Sequence, residues 1–301
     1  MKSILFLSGK GGTGKTSLAG GFAVLATRKV LADCDVDAAN LHLLLAPNIV
    51  EQGTYQGAKQ AVKDDEACIE CGRCREVCRF HAVSPTYAID PFLCEGCGAC
   101  VTACPVDAIV LKPQDTGRWF TAESRLGPLA GAELFPGEET SGKLVTEVKQ
   151  KAAKLCRDVG AEQLLIDGSP GIGCPVIASA SGVDVVVLVT EPTLSGLHDL
   201  RRILGVVRHF RIPAYLVINK EDLNPSVAEQ IVAYAEEEEL PLLGGIPFAP
   251  KVTEAMVAGR SAVEEDGSPA GQAMRRHFAR LMRAMADGDD TTSSGGSNAK
   301  K

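Results

Sequence analysis

No stretch of this chain approaches the roughly 18 consecutive apolar residues that a membrane-spanning helix needs. The best candidate, residues 183–189, is short and is interrupted by Asp184. Positive charge is not in excess either: Lys and Arg number 31 against 38 Asp and Glu, a formal charge of −7. That balance argues against the nonspecific nucleic-acid binding that rests on basic side chains neutralising phosphates. A secretory leader is not expected, because residues 1–8 are too few for one and run straight into a glycine-rich turn. These absences predict a soluble cytoplasmic protein with no nucleic-acid partner. What the chain has is 301 residues, 45% of them apolar, enough to bury a sizeable core. It also has 11 cysteines, eight of them between Cys68 and Cys104. Intracellular chains do not ordinarily keep disulfides, so clustered cysteines read first as metal ligands.

Residues 3–8 form an apolar run that ends at the glycine-rich turn, as a buried strand would. A small-residue helix over 15–27 and a strand at 30–32 follow, leading into the acidic segment Asp33-Cys34-Asp35-Val36-Asp37. Residues 64–112 then carry two cysteine runs at an offset of 26 residues, an internal repeat. Residues 113–142, rich in Gly, Pro and Glu, predict a connecting hairpin and loops. Beyond them the pattern predicts helices over 143–158, 194–210 and 225–240, alternating with strands at 163–166, 184–189, 214–218 and 242–246. Such alternation implies an α/β fold, a mostly parallel sheet with helices on both faces. The expected organisation is a discontinuous α/β domain (1–63 and 113–286), a small α+β insert (64–112) and a polar, disordered tail (287–301).

Gly9-Lys10-Gly11-Gly12-Thr13-Gly14-Lys15-Thr16 satisfies G-x-x-x-x-G-K-[ST] between the first strand and the first helix. In that context the glycines let backbone N–H groups turn inward around phosphates, and the helix N-terminus adds a favourable dipole. Lys15 is placed to reach the outer phosphates and the Thr16 hydroxyl to bind magnesium, with Ser17 next in line. With the additional Lys10, the loop resembles the deviant Walker A of the MinD/Mrp-type P-loop ATPases. The resemblance implies a homodimer, or a heterodimer with a similar ATPase, in which Lys10 reaches the partner's nucleotide, much as an arginine finger does. It further implies that Asp33 and Asp35 are the switch I acidic pair, with Asn40 beyond them. Asp35 would polarise the attacking water and help to hold Mg2+. Asp167 matches the Walker B aspartate, residues 168–173 match switch II, and Asn219 and Pro247 match the base-binding region. Read from the residues alone, the same aspartates also suit helix caps or turns. Asn219-Lys220-Glu221-Asp222 spells the N-K-x-D of guanine-specific GTPases as well. The spelling therefore leaves the base open; the resemblance implies ATP, with GTP the alternative.

The cysteine runs are Cys68-x2-Cys71-x2-Cys74-x3-Cys78 and Cys94-x2-Cys97-x2-Cys100-x3-Cys104-Pro105. This is the two-cluster bacterial ferredoxin spacing, in which the fourth cysteine of each run ligates the other cluster. One 4Fe–4S cluster would take Cys68, Cys71, Cys74 and Cys104, and the second Cys78, Cys94, Cys97 and Cys100. Zinc also suits thiolates, but a zinc ribbon needs four ligands in two separated pairs. Arg79 stands where a proline would follow the fourth cysteine of the first run. Of the remaining cysteines, Cys34 and Cys156 read as buried fillers. Cys174 lies seven residues after Asp167. The nitrogenase iron protein, which resembles this chain in its nucleotide fold, has a bridging-cluster cysteine at a similar spacing. Cys174 is thus either structural or an interface or transient metal ligand. The basic, amphipathic segment 274–285 reads as a last helix packed on the sheet, with membrane association not expected.

Three functions fit these features: a nucleotide-gated electron carrier or metal-centre assembly factor acting on a redox or metalloprotein partner, a cluster scaffold, and a redox-sensing positioning ATPase.

Overall fold

In the computed structural model, which describes residues 1–138 and 142–293, the elements run as follows: β1 (Lys2–Leu7), α1 (Lys15–Leu25), β2 (Lys29–Asp33), α2 (Leu41–Leu45), β3 (Asn48–Tyr55), β4 (Ala58–Lys63), α3 (Arg73–Val77), α4 (Ala99–Ala103), β5 (Ile109–Gln114), β6 (Gly117–Ser124), β7 (Gly127–Leu134), α5 (Gly142–Val159), β8 (Gln163–Asp167), α6 (Cys174–Ala180), β9 (Val185–Thr190), α7 (Leu194–His209), β10 (Ala214–Asn219), α8 (Pro225–Glu237), β11 (Leu242–Ile246), α9 (Pro250–Val257) and α10 (Pro269–Ser293). Among the described residues the strands form one nine-stranded sheet, ordered β11-β10-β9-β1-β8-β2-β7-β6-β3, and one two-stranded sheet of β4 and β5. From β11 to β7 every neighbouring pair is parallel.

The chain divides into two compact units, one of residues Met1–Gln52, Trp119–Glu133 and Thr140–Lys301, the other of Gly53–Arg118 and Leu134–Glu139. The larger unit owes its central strand to a run with no polar member. Ile4, Leu5, Phe6 and Leu7 are all fully buried, and because successive side chains point to opposite faces, both faces of the sheet are covered. Ile4 and Phe6 belong to the core shared with Phe22 of α1 and Leu281 of α10. There Phe6, Phe22 and Phe278 stack edge to face, with centroids 5.3 Å apart at each step. Met274 and Leu281 are buried, and Phe278, Met282 and Met285 pack against the same core. The apolar stripe of segment 274–285 is therefore spent on the sheet, and no described helix is long and apolar enough to cross a membrane.

Three boundaries differ from the sequence reading. The small unit is wider than 64–112, because β4 pairs antiparallel with β5 from Ala58↔Gln114 to Lys63↔Ile109, and those flanks cannot be separated from it. Residues 113–142 are not merely connecting structure: β6 and β7, joined by a two-residue turn, are full strands of the nine-stranded sheet. α10 continues to Ser293, so residues 287–293 are helical where disorder was expected; once a helix is nucleated on a core, adding residues costs little. Residues 294–301 lie outside the described residues.

In the small unit the 26-residue repeat is visible in the backbone. Gly72 and Gly98 precede the one-turn helices α3 and α4 with φ of 79° and 78°. Arg75 and Val101 N–H groups then bond the carbonyls of Gly72 and Gly98, each at 3.0 Å.

Candidate nucleotide site and thiol-lined cavities

The loop 9–14 leaves β1 and enters α1 at the end of the sheet where β2, β8, β9 and β10 also finish, the end at which open α/β sheets bind ligands. Gly14 adopts φ 92°, and a Cβ there would lie 2.1 Å from Asn219 Nδ2. Asn219 uses that amide to donate to the Thr13 carbonyl at 2.8 Å, so the loop is buttressed from the end of β10. Lys15, almost wholly buried, donates to Asp167 Oδ1 at 2.6 Å and lies 3.5 Å from Asp35 Oδ2. Thr16 Oγ1 donates to the other oxygen of Asp167 at 2.6 Å. The lysine, the hydroxyl and two carboxylates from three strand ends thus meet at one point.

This point is dry. Burial pushes the Asp33 carboxyl well above the ordinary carboxylate range, reinforced by the nearby Asp167 charge and opposed by Lys15. Burial likewise raises Asp35, to about 6, against the pull of Lys15. For Lys15 the desolvation penalty is outweighed by Asp167, Asp35 and Asp33, and its ammonium is held above the usual value. Asp33 shapes the following loop by accepting the N–H groups of Asp35 and Leu41, both at 3.2 Å. Asn40, exposed, precedes α2 without a side-chain cap bond. Residues 168–173 are laced to their surroundings: Ser169 Oγ donates to the Cys34 carbonyl at 2.8 Å, and Gly171 N–H to the Ser8 carbonyl at 2.9 Å.

Not every residue singled out in the sequence joins this cluster. Ser17 donates to Met256 Sδ at 2.9 Å and is turned to α9. Lys10 lies within its own chain against Glu191, 2.8 Å from Oε1. Pro247 is half-buried, and the N–H of the next residue, Phe248, donates to Asp222 Oδ1 at 2.6 Å, so the aspartate of the N-K-x-D spelling ties down the 246–248 segment. Cys174 is exposed at the start of α6. Cys34 and Cys156 are buried; burial raises both thiols, Cys156 to about 11. Glu191, Thr193 and Ser195 were missed by sequence reasoning. Their signal was position alone, directly after a buried strand at the ligand-binding end of the sheet.

In the small unit the eight thiols separate into two groups. One small cavity is lined by Cys78, Cys94, Cys97 and Cys100. The other is lined by Cys68, Cys71, Cys74 and Cys104. Each run therefore lends its fourth cysteine to the other's cavity. Backbone N–H groups already point at two of the sulfurs, Ala61 at Cys94 (3.5 Å) and Ala108 at Cys104 (3.2 Å). Among the described residues no three His, Cys, Asp or Glu side chains gather tightly enough to hold a single metal ion. Four thiols lining one cavity, too spread to close on a single ion, fit a polynuclear iron–sulfur centre, whose irons each take one cysteine, better than one zinc ion.

The family model described as the CobQ/CobB/MinD/ParA nucleotide binding domain matches residues 4–262. The chain is similar to the uncharacterized protein MJ0578 of Methanocaldococcus jannaschii, 36% identical over 231 residues that cover 73% of this chain and 79% of that one. A shorter stretch, 62 residues and 18% of the chain, is 37% identical to the uncharacterized ferredoxin MJ0722 of the same organism, covering 80% of it. Among solved structures, the septum site-determining protein MinD of Pyrococcus horikoshii, complexed with Mg-ADP, superimposes with a TM-score of 0.57 at 18% identity. That match covers 93% of this chain and 95% of the other, a likeness of fold.

Proposed function

Since the chain belongs to the CobQ/CobB/MinD/ParA nucleotide-binding family, we propose that it is a Mg2+-dependent ATPase carrying two 4Fe–4S clusters. In this reading, nucleotide-dependent dimerisation is coupled to electron transfer to, or metal-centre assembly in, a redox or metalloprotein partner. The observation that carries the proposal is the crossed grouping of the eight thiols in a chain that also gathers Lys15, Thr16, Asp35 and Asp167. Full thiolate ligation favours retaining the clusters over handing them on as a scaffold would.

Lys15 holds the outer phosphates once it is drawn from Asp167, and Asp35 accepts the proton of the water that attacks the γ-phosphorus in line with the departing ADP. Thr16, Asp35 and Asp167 are the residues to hold Mg2+. When bound, the ion neutralises charge on the phosphoryl oxygens. Lys10, supplied by the partner subunit, adds a cation at the same place. The clusters, held by Cys68, Cys71, Cys74 and Cys104 and by Cys78, Cys94, Cys97 and Cys100, supply one-electron storage.

Lys15→Ala is expected to abolish nucleotide binding. Lys10→Ala should leave binding largely intact and lower hydrolysis by about 10³-fold or more, the scale of a lost trans-acting cation. Normal hydrolysis by the Lys10 variant would refute the trans role. Coupling is tested by an anaerobic redox titration followed by EPR, with and without Mg2+ and a non-hydrolysable ATP analogue. A cluster potential that moves with nucleotide is the expected result; two clusters indifferent to nucleotide would reduce the insert to a passive wire or sensor.

A further inference from the structure

Lys10 is not a loose loop lysine. Its ammonium lies 2.8 Å from Glu191 Oε1, 2.9 Å from Ser195 Oγ and 3.2 Å from Thr193 Oγ1. A lysine ammonium has three N–H donors, so these three acceptors saturate it and none remains for a phosphate. The cradle is itself fixed: Thr193 caps α7 by accepting the Gly196 N–H at 2.9 Å. The second carboxylate oxygen of Glu191 holds Lys220 at 3.1 Å, and Lys220 also donates to the Gly12 carbonyl at 3.3 Å. One glutamate therefore grips the phosphate loop at Lys10 directly and at Gly12 through Lys220. It sits mostly covered, with 17% of its side chain exposed. Burial alone would push its carboxyl up, yet the hydrogen bonds from Lys10 and Lys220 hold it below the ordinary glutamate range.

We propose that Glu191 is the positioning residue that parks Lys10 inside its own subunit, so that a partner's nucleotide must compete with Glu191, Thr193 and Ser195 for that lysine before the dimer can close. The inference rests on the trans-acting role proposed for Lys10 and adds its counterweight. A single ammonium cannot satisfy both sets of acceptors, so closing the dimer breaks the parked contacts. Glu191 thereby sets how much nucleotide and protein are needed to assemble the active state, while its grip on Lys220 keeps the loop in shape.

The test uses the full-length protein. In nucleotide-free, monomeric protein, acylation of lysines read by mass spectrometry should label Lys10 about fivefold faster in Glu191→Gln than in the unmodified chain, the scale of a partly exposed ion pair. Buried Lys15 serves as the internal control. With Mg2+ and a non-hydrolysable ATP analogue, sedimentation should find Glu191→Gln dimeric at about fivefold lower protein concentration. That gain should vanish when Lys10→Ala is combined with it, as a coupling between two contacting residues requires. Ser195→Ala, which removes one exposed acceptor and leaves the carboxylate, should move both readouts the same way by about twofold. Unchanged Lys10 labelling in Glu191→Gln, or an equal shift in dimerisation with Lys10 absent, would overturn the proposal. Undiminished hydrolysis by Lys10→Ala would instead strike the trans-acting reading beneath it, so the two failures are distinguishable.

Discussion

At the scale of single residues, what matters is which positions the backbone leaves no choice about. Glu70 and Gly96 occupy equivalent places in the 26-residue repeat, each between the first two cysteines of its run, and both are left-handed, with φ of 52° and 60°. At Glu70 a side chain is tolerated in that region at some cost. At Gly96 it is not: a Cβ would lie 2.0 Å from the Lys59 carbonyl oxygen, a backbone atom that cannot yield without moving β4. Gly96→Ala is therefore expected to disrupt the cavity of Cys78, Cys94, Cys97 and Cys100. Anaerobically purified variant should lose about half of its iron, on the premise of two four-iron centres, while ATP binding survives. Full iron content would contradict this account. Residue identity also limits what could be read in advance. Lys15 and Thr16 are contiguous in a motif and were legible. Ser17 matched by adjacency yet faces Met256, and Glu191 had no motif to announce it.

At the scale of elements, β1, β8, β9 and β10 were legible because continuous apolar runs have one stable home, a strand buried within the sheet. α2, α3 and α4, five residues each, are too short to show a helical period, and β3, β6 and β7 mix polar and apolar residues without clean alternation. The last helix is secured by a contact that periodicity cannot show. His277, buried in α10, has its Nε2 3.0 Å from the Gly245 carbonyl of β11, with Arg280 reaching the Leu243 carbonyl nearby. Burial disfavours the imidazolium and holds His277 below its ordinary value. The unfolded chain then takes up this proton at a higher pH than the folded one. The stability tied to His277 is thus complete above the unfolded value near 6.5 and is lost as the pH falls through the folded one. Thermal melting from pH 7.5 down to 5 should show a falling midpoint. His277→Gln, which can still donate to the Gly245 carbonyl, should flatten that part of the slope; an unchanged slope would mean that other groups carry it.

At the scale of the whole molecule, the two units are held together internally by different means. The larger has an extensive core around β1. The smaller gathers a core cluster of just Ala61, Cys74, Val83 and Ile109 among the described residues, with Cys78, Cys94, Cys100 and Cys104 packed against it, so the thiol groups are themselves a large part of that cluster. If the thiols hold the proposed clusters, so small a core draws much of its stability from the metal. Anaerobic removal of iron by a chelator is expected to abolish the calorimetric transition of the small unit while leaving a cooperative transition and nucleotide binding in the large one. Loss of both together would show that the units do not melt independently. The amino-acid sequence by itself determined the phosphate loop, the thiol inventory and the parallel α/β class, because each depends on residues near one another in the chain or on the period of an apolar run. Only the tertiary structure decided which side chains share a point in space. The order β10-β9-β1-β8-β2 brings Asn219, Glu191, the loop, Asp167 and Asp35 to one end of the sheet, and the β4–β5 ladder sets the width of the insert. Those placements follow from strand pairing between segments far apart in the chain, which no local pattern encodes.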